Sequence, residues 1–571
     1  MALFFSGRQW ISPAVMSVVD DSKMYGRRPS DGNSLALVGR ADGGVPMTAL
    51  VFSSVSEAAS VLRDGDLLRG VEAAFNASSE SNGPATVTVV RINPATQSTL
   101  MLKDAAAADS IELKSTNYGL IDNQIKVKVE AGTNVGLKLT TQFGTSYNTV
   151  NDLYRNAFSV QYAGTGAGTL TVSNTAVSLS LNSVVTSIDL ATFPTVQELV
   201  DRLGAIADIT ATVQDGNGEK ASLNALDGVT AQDIKTAAYT ATGTLQEAID
   251  WFNSLAEGLV NATRPAAATK VPAPINFTYL AGGTSGVVTN TEWESALTEL
   301  QKVDIQWLVP LTDLSAIHAM AEAHVAYMSN IARKERRCIC GTAVGATDAN
   351  AITAAKALNS DRVSLVHLGV YNYNKKNKLV LFPPYITAVM IAAAFSGLNP
   401  GTPLTNKSLK VSGLERKLIN PKDTDPLILG GVLCLEDTPN GYKVIQSIST
   451  WLINDNYNRR EVSVGMACDF MMRKVRATVE SLRGTKNNPG TLALAVEMVK
   501  SALAALAVPE PGGPGVLAGD ASHPAYRNLS ITQDGDIMRI EFEASPVLPI
   551  NYIPIVCYAS PYSGSVKTLV G

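Results

Sequence analysis

The spacing of hydrophobic and polar residues changes several times along the chain, and each change predicts a different kind of structure. The first forty residues carry no helical period. Phe4, Phe5, Trp10, Ile11, Val15, Val18 and Val19 lie among polar residues ahead of a basic, turn-rich "YGRRPSDGNS". This predicts an extended arm leading into a strand at "SLALVGRADGG". "SVSEAASVLRDGDLLRGVEAAF" then reads as one helix capped at Ser56, with Ala58, Val61, Leu62 and Leu68 near one face. "TVTVVRINP" alternates as a strand.

Between about Ala105 and Val271 the texture becomes rich in Thr, Ser, Ala, Gly and Asn. Short alternating runs ("IKVKVEAG", "VGLKLTTQFG", "FSVQYAG", "GTLTVSN") predict strands, interrupted by the amphipathic helices "TVQELVDRLGAIA" and "GTLQEAIDWFNSLAEGLVNA". The stretch ends in "RPAAATKVPAPIN" and reads as one or two small inserted domains.

From Phe277 onward strands and helices alternate. The strands "DIQWLVPL", "RRCICGTAVG", "RVSLVHLGVYN" and "KLVLFPP" are separated or followed by "SAIHAMAEAHVAYMSNIARK", "DANAITAAKALN" and the apolar "ITAVMIAAAFSG". Near-continuous apolar strands alternating with helices predict a largely parallel sheet covered on both faces. After about Ser408 the pattern predicts strands at "LILGGVLCLED" and "YKVIQSISTWL", then the helices "VGMACDFMMRKVRATVESLRG" and "TLALAVEMVKSALAALAV". Strands at "RNLSITQDGDIMRIEFEAS" and "PINYIPIVCYAS" follow, before a second apolar end containing Val566, Leu569 and Val570. Extended, apolar ends of this kind either fray or add as strands to another sheet's edge.

Composition narrows the function classes. At 571 residues the chain exceeds one hydrophobic core. Only 17% of residues are charged, against roughly 25% in an average soluble protein, which fits a subunit that covers much of itself with neighbours. A net charge of −5 gives no support for bulk binding to nucleic acid or an anionic membrane. The apolar run Ile386 to Leu398 falls short of the about 20 residues of a membrane span, so no membrane insertion is expected, and the N-terminus does not read as a signal peptide. Five scattered cysteines do not suggest a disulfide framework.

No catalytic, cofactor or metal constellation emerges. "YLAGGTSGVVTNTEWESAL" has the strand–glycine turn–helix order of a phosphate loop, but Val287 and Val288 follow Gly286 where Lys and Ser or Thr would be needed. It reads as a tight turn into a helix capped near Thr291, with Glu292 and Glu294 in its first turn. "AGTGAGT" joins two strand patterns and reads as a hairpin turn. Cys338 and Cys340, two apart in a strand, share a face but lack a second ligand pair; His318 and His324, six apart on a helix, do not share one. Arg473, Lys474, Arg476 and Arg483, against Asp469 and Glu480, form a basic helix face that is either solvated or docks an acidic partner.

"YLAGGTSGVVTNTEWESALTELQKVDIQWLVPLTD", "HVAYMSN", "RKERRCICG" and "ALNSDRVSLVHLGV" together resemble the core of the tail sheath proteins of contractile-tailed bacteriophages. "LALVGRADGGVP", "LRDGDLLRGVEAAF", "YGLIDNQIKVKVEAGT" and "SPVLPINYIPIVCYAS" extend the resemblance, in order, over roughly residues 30–130 and 275–560. Residues 158–270 fall outside it, as an outer-surface insertion would. The resemblance implies a mixed α/β sheath core with extended N- and C-terminal arms and an inserted β-rich outer domain. The chain then divides into an arm (1–30), the N-terminal part of the core (31–104), the insertion (105–271), an α/β core domain (272–407), a C-terminal, tube-facing domain (408–557) and a C-terminal arm (558–571).

The resemblance further implies a non-enzymatic structural subunit without cofactors. Its homo-oligomer would consist of six-fold rings stacked helically around a tail tube, with baseplate and tail terminator proteins as further partners and no nucleic acid or membrane. The arms (Phe4, Phe5, Trp10, Ile11, Val15 and Val18; Val566, Leu569 and Val570) would enter neighbouring subunits, and the basic helix would face the tube. Such a protein is assembled in the host cytoplasm, resides in the virion, and contracts to drive the tube through the host envelope for genome ejection. The alternatives are an α/β nucleotide-dependent enzyme with a β-rich accessory domain, or another self-assembling particle protein such as a surface-layer or tail-tube protein.

Overall fold

The computed structural model describes residues 3–5, 8–10, 34–254, 258–562 and 564. Its centre is a seven-stranded sheet whose order across the sheet is Val432–Leu433, Val363–Val366, Arg337–Gly341, Trp307–Pro310, Ser34–Gly39, Thr86–Arg91 and Ala49–Phe52. All neighbours run parallel except the last pair, where Ala49 faces Val90. The sheet thus takes strands from both sides of the insertion and from beyond residue 408.

Alternation of side chains sorts the strand residues onto two buried faces. Leu35, Leu37, Val87, Val89, Trp307 and Ile339 meet the helices Val55–Leu62, Asp66–Phe75 and Pro384–Ser396. Ala36, Val38, Val90, Leu308, Cys338, Cys340 and Val363 meet Asn290–Leu300, Ser315–Asn330 and Asp348–Leu358. Pro384–Ser396 is apolar on all sides and is buried along nearly its whole length, with the Phe395 ring stacked 4.9 Å from Trp307.

Between Arg91 and Trp307 the chain builds two nested β units. The outer part of the path (99–153 and 244–279) forms a three-stranded and a four-stranded sheet around Leu113, Val127, Leu139, Leu245 and Phe252. Inserted into it, residues 156–242 form another three-stranded and another four-stranded sheet around Phe158, Leu170, Leu179 and Leu199.

Several expected elements differ. The helix expected across residues 56–75 is two helices, because Arg63 and Gly65 adopt φ of 62° and 107°; the first helix is capped by Ser54, not Ser56. "RVSLVHLGVYN" divides between the central sheet and a three-stranded antiparallel sheet in which Val370–Tyr373 pairs with Leu379–Phe382. The division falls at Gly369, where a Cβ would lie 2.4 Å from the Phe382 carbonyl oxygen. "LILGG" closes a helix, Thr424–Leu429, rather than opening a strand. "AGTGAGT" is not a hairpin turn: the strands it joins, Asn156–Tyr162 and Gly168–Val172, belong to different sheets. "PINYIPIVCYAS" forms no strand among the described residues.

The glycine turn at Gly282–Gly286 is a crossing between bodies. The strand before it, Ile275–Tyr279, pairs with Lys126–Ala131 of the insertion, and the helix after it, Asn290–Leu300, packs on the central sheet. Thr289, not Thr291, caps that helix, with Glu292 completing a reciprocal capping box. Asn123 grips the turn twice: its Nδ2 donates to the Gly283 carbonyl at 2.9 Å and its Oδ1 accepts from the Gly283 amide at 2.9 Å. A Cβ on Gly283 would meet Ser98 Oγ at 2.3 Å.

Candidate assembly surfaces

The C-terminal 115 or so residues hold a two-helix layer and a ribbon. Val462–Val479 and Pro489–Leu506 pack together through Ala467, Phe470, Met471 and Val475 on one side and Val499, Leu503 and Leu506 on the other. Asn488 caps the second helix and Pro489 occupies its first turn, a combination that favours helix initiation. That helix is long and apolar enough by composition to cross a membrane; here its side carrying Val499, Leu503 and Leu506 covers the first helix and the ribbon.

The ribbon pairs Tyr526–Asp534 with Ile537–Ala544, and Leu529, Ile531, Ile540 and Phe542 face the helices. It is a two-stranded sheet, so each strand has one edge unpaired among the described residues. Immediately afterwards the Val547 amide donates to the Val516 carbonyl. Beyond Val547, no main-chain hydrogen bond is made among the described residues. Ile550, Tyr552, Ile553, Ile555, Val556 and Tyr558 are each at least 70% exposed. An open-edged ribbon thus lies directly before an apolar segment whose backbone groups are unpaired.

The basic helix is organised differently from the expectation. Asp469, Arg473 and Arg476, at i, i+4 and i+7, turn toward the core. Arg476 donates to both carboxylate oxygens of Glu335 at 2.6 Å, and Arg473 Nε lies 3.3 Å from the same group. Arg473 also pairs with Asp304 at 3.5 Å. Asp469 accepts from Arg362 at 2.6 Å and lies 3.2 Å from Arg337. Burial lowers the Arg337 guanidinium below its usual range, and Asp469 opposes the shift. Lys474 lies 5.3 Å above the Phe470 ring, and the exposed Arg483 pairs with Glu480 at 3.0 Å. Arg473 and Arg476 are therefore an internal clamp rather than a free basic face. Sequence reading missed Glu335, Arg337 and Arg362; the only signal was the charge run "RKERR" ahead of a strand, which gives no direction.

The other singled-out residues are core parts. His318 Nε2 lies 3.0 Å from the Thr312 carbonyl oxygen. His324 contacts Arg336 at 3.0 Å; burial first, and then the Arg336 charge, push its imidazole down to about 4. Cys338 and Cys340 share one buried face with sulfurs 3.6 Å apart, and burial raises the Cys338 thiol. At the N-terminus, Leu3–Phe5 and Arg8–Trp10 pair antiparallel, which places the backbone of Phe4, Phe5 and Trp10 in a two-stranded pair. Ile11, Val15, Val18, Val566, Leu569 and Val570 lie outside the described residues.

No family model matches the chain. A tail sheath protein of Bacillus phage SP01 is 29% identical over 588 positions, spanning 99% of this chain and 98% of that protein. A putative tail sheath protein of Enterococcus phage phiEF24C is 27% identical over 95% of this chain and 96% of its own length. The similarity to SP01 runs through residues 158–270, which the resemblance read from the sequence had left out. Among solved structures, sheath tail proteins of Listeria innocua and Desulfitobacterium hafniense share the fold, with TM-scores of 0.53 and 0.52 at 12% identity, covering 90% and 93% of this chain and 92% and 100% of theirs.

Proposed function

We propose that this chain, a structural protein of the phage tail sheath kind, polymerises by exchanging terminal strands between copies into six-fold rings stacked helically around a tail tube. Contraction of the finished sheath then drives the tube through the host envelope for genome ejection. The observation that carries the reading is the pairing of opposites in one chain: a ribbon with two open edges, and an apolar, unpaired segment directly after it. Among the described residues the segment is not added to its own ribbon, and a segment from another copy can add there, so that each copy both gives and receives a strand. The N-terminal arm, with Phe4, Phe5, Trp10, Ile11, Val15 and Val18, and the C-terminal residues Val566, Leu569 and Val570 join this exchange.

Tail tube, baseplate and tail terminator proteins are the further partners, the particle is the virion, and assembly takes place in the host cytoplasm. With Arg473 and Arg476 engaged by Glu335, tube contact falls to the exposed stretch just past the same helix, around Arg483. Negative-stain electron microscopy of the concentrated protein tests the proposal. Hollow tubes or stacked rings with six-fold end views support it; dispersed particles at every concentration, with and without tube protein, refute it.

A further inference from the structure

The four-stranded sheet of the insertion has one face packed on its own core through Val127, Val129 and Leu139, and one face left outside. Register fixes what stands on that outer face. Tyr147 faces Gln142, Gln142 faces Lys126, and Lys126 faces Tyr279, giving a row across all four strands. With strands about 4.8 Å apart, the two tyrosines stand about 14 Å from each other. Phe277 lies beside Tyr279 on the same side: Lys126 Nζ is 4.9 Å from the Phe277 ring centre and 5.9 Å from that of Tyr279, and Lys128 Nζ is 5.8 Å from Phe277. Tyr147, Phe277 and Tyr279 are 68%, 42% and 58% exposed. The Phe277 and Tyr279 rings thus sit against lysine ammonium groups, and all three rings are open to solvent.

We propose that this outer face binds an acidic polysaccharide. Flat rings offer stacking surfaces to the C–H faces of sugars, and Gln142, whose Nε2 already donates to the Gly144 carbonyl at 3.0 Å, can accept from sugar hydroxyls through its Oε1. The charge is complementary: Lys126, Lys128 and Lys138 stand against the single carboxylate of Glu130, on a chain whose net charge is −5. A protein partner fits poorly, because interface centres are depleted in charge and this face sets lysines between its rings. A nucleic-acid strand fits less well, because no arginine stands on these rows and few cations are available to follow a phosphate backbone.

The test uses the full-length chain and fluorescent carboxymethyl-dextran, followed by anisotropy, with unmodified dextran and a 20-nucleotide single-stranded DNA as comparisons. Binding to carboxymethyl-dextran should be at least ~10-fold tighter than to dextran, following the charge complementarity. The pair Phe277→Ala with Tyr279→Ala should weaken it by at least ~10-fold, at an unchanged melting temperature because both rings are exposed. Lys126→Glu should remove the preference for the carboxymethylated polymer. No binding to either dextran, equal binding by the double alanine variant, or tighter binding of the DNA would overturn the proposal. So would a change of oligomeric state in that variant, which would make the face a contact between copies.

Discussion

Truncating the chain after Val547 tests the strand-exchange reading at its strongest point. Among the described residues, 548–562 make no main-chain hydrogen bond, and among their polar contacts there Asn551 alone reaches back, to Glu461 at 3.4 Å. Added to a neighbour's ribbon, five or so main-chain hydrogen bonds would contribute about 5 kcal/mol. Burying one side of the segment, about three residues of the size of Ile553, Ile555 or Tyr558, would contribute about 6 kcal/mol more. Association itself costs about 4–15 kcal/mol, so a single arm is near neutral and only a subunit held by several arms at once is firmly placed. Removing one of them by truncation should raise the critical concentration for polymerisation at least ~100-fold, the equivalent of about 3 kcal/mol. Pelleting across a concentration series, with negative stain of the pellets, measures this. The subunit's melting temperature should stay within about 1 °C of wild type, because the deleted residues are exposed. Tubes forming at the wild-type concentration would refute the reasoning.

Three further outcomes are expected. Glu335→Ala leaves Arg473 and Arg476 facing an empty pocket; breaking a buried pair costs about 3–5 kcal/mol, and the one-third exposure of Arg476 reduces this to about 2–3 kcal/mol, readable as a lower urea midpoint. His324 is held neutral by burial, its imidazole moved from 6.5 to about 4, so the unfolded chain takes up a proton before the folded one does. Its contribution is present above pH 6.5 and is lost as pH falls from there toward 4; urea midpoints of wild type and His324→Gln should diverge less at pH 5 than at pH 7. Gly283→Ala drives a Cβ into Ser98 Oγ and the Gly119 carbonyl, and should loosen the junction by about 1–3 kcal/mol, seen as faster amide exchange around Asn123 with the central sheet unchanged.

The parts of the fold that were legible are those whose periodicity is set by burial on both sides. Ser34–Gly39, Trp307–Pro310 and Arg337–Gly341 read as apolar runs because helices cover both faces of the sheet. Reading failed where tertiary contacts override a local pattern. "VSLVHLGVY" looks like one strand, yet the close approach of Phe382 at Gly369 sends its halves to different sheets. "PINYIPIVCYAS" has a strand's composition but finds no partner among the described residues, and strand structure needs the second strand. The basic helix shows the same limit. Helical spacing places Asp469, Arg473 and Arg476 on one face, but only the fold reveals that Glu335 and Arg362 stand opposite.

These contacts also divide the molecule by how much each boundary resists rearrangement. Where the insertion leaves the core, Arg91 is fully buried, donating to the Gly44 and Tyr118 carbonyls, and Asp122 is buried against Arg63 at 2.8 Å. Where the C-terminal helices meet the core, Glu335 and Asp469 each hold two arginines. Opening either boundary would strand buried charge, which is costly, so core, insertion and helices should move together. The ribbon edges and the segment after Val547 carry no such penalty. Their hydrogen bonds are directional but individually weak, and a bent or twisted strand keeps them. A change in the relative orientation of subunits would therefore be absorbed in the exchanged strands, while each subunit body keeps its internal contacts.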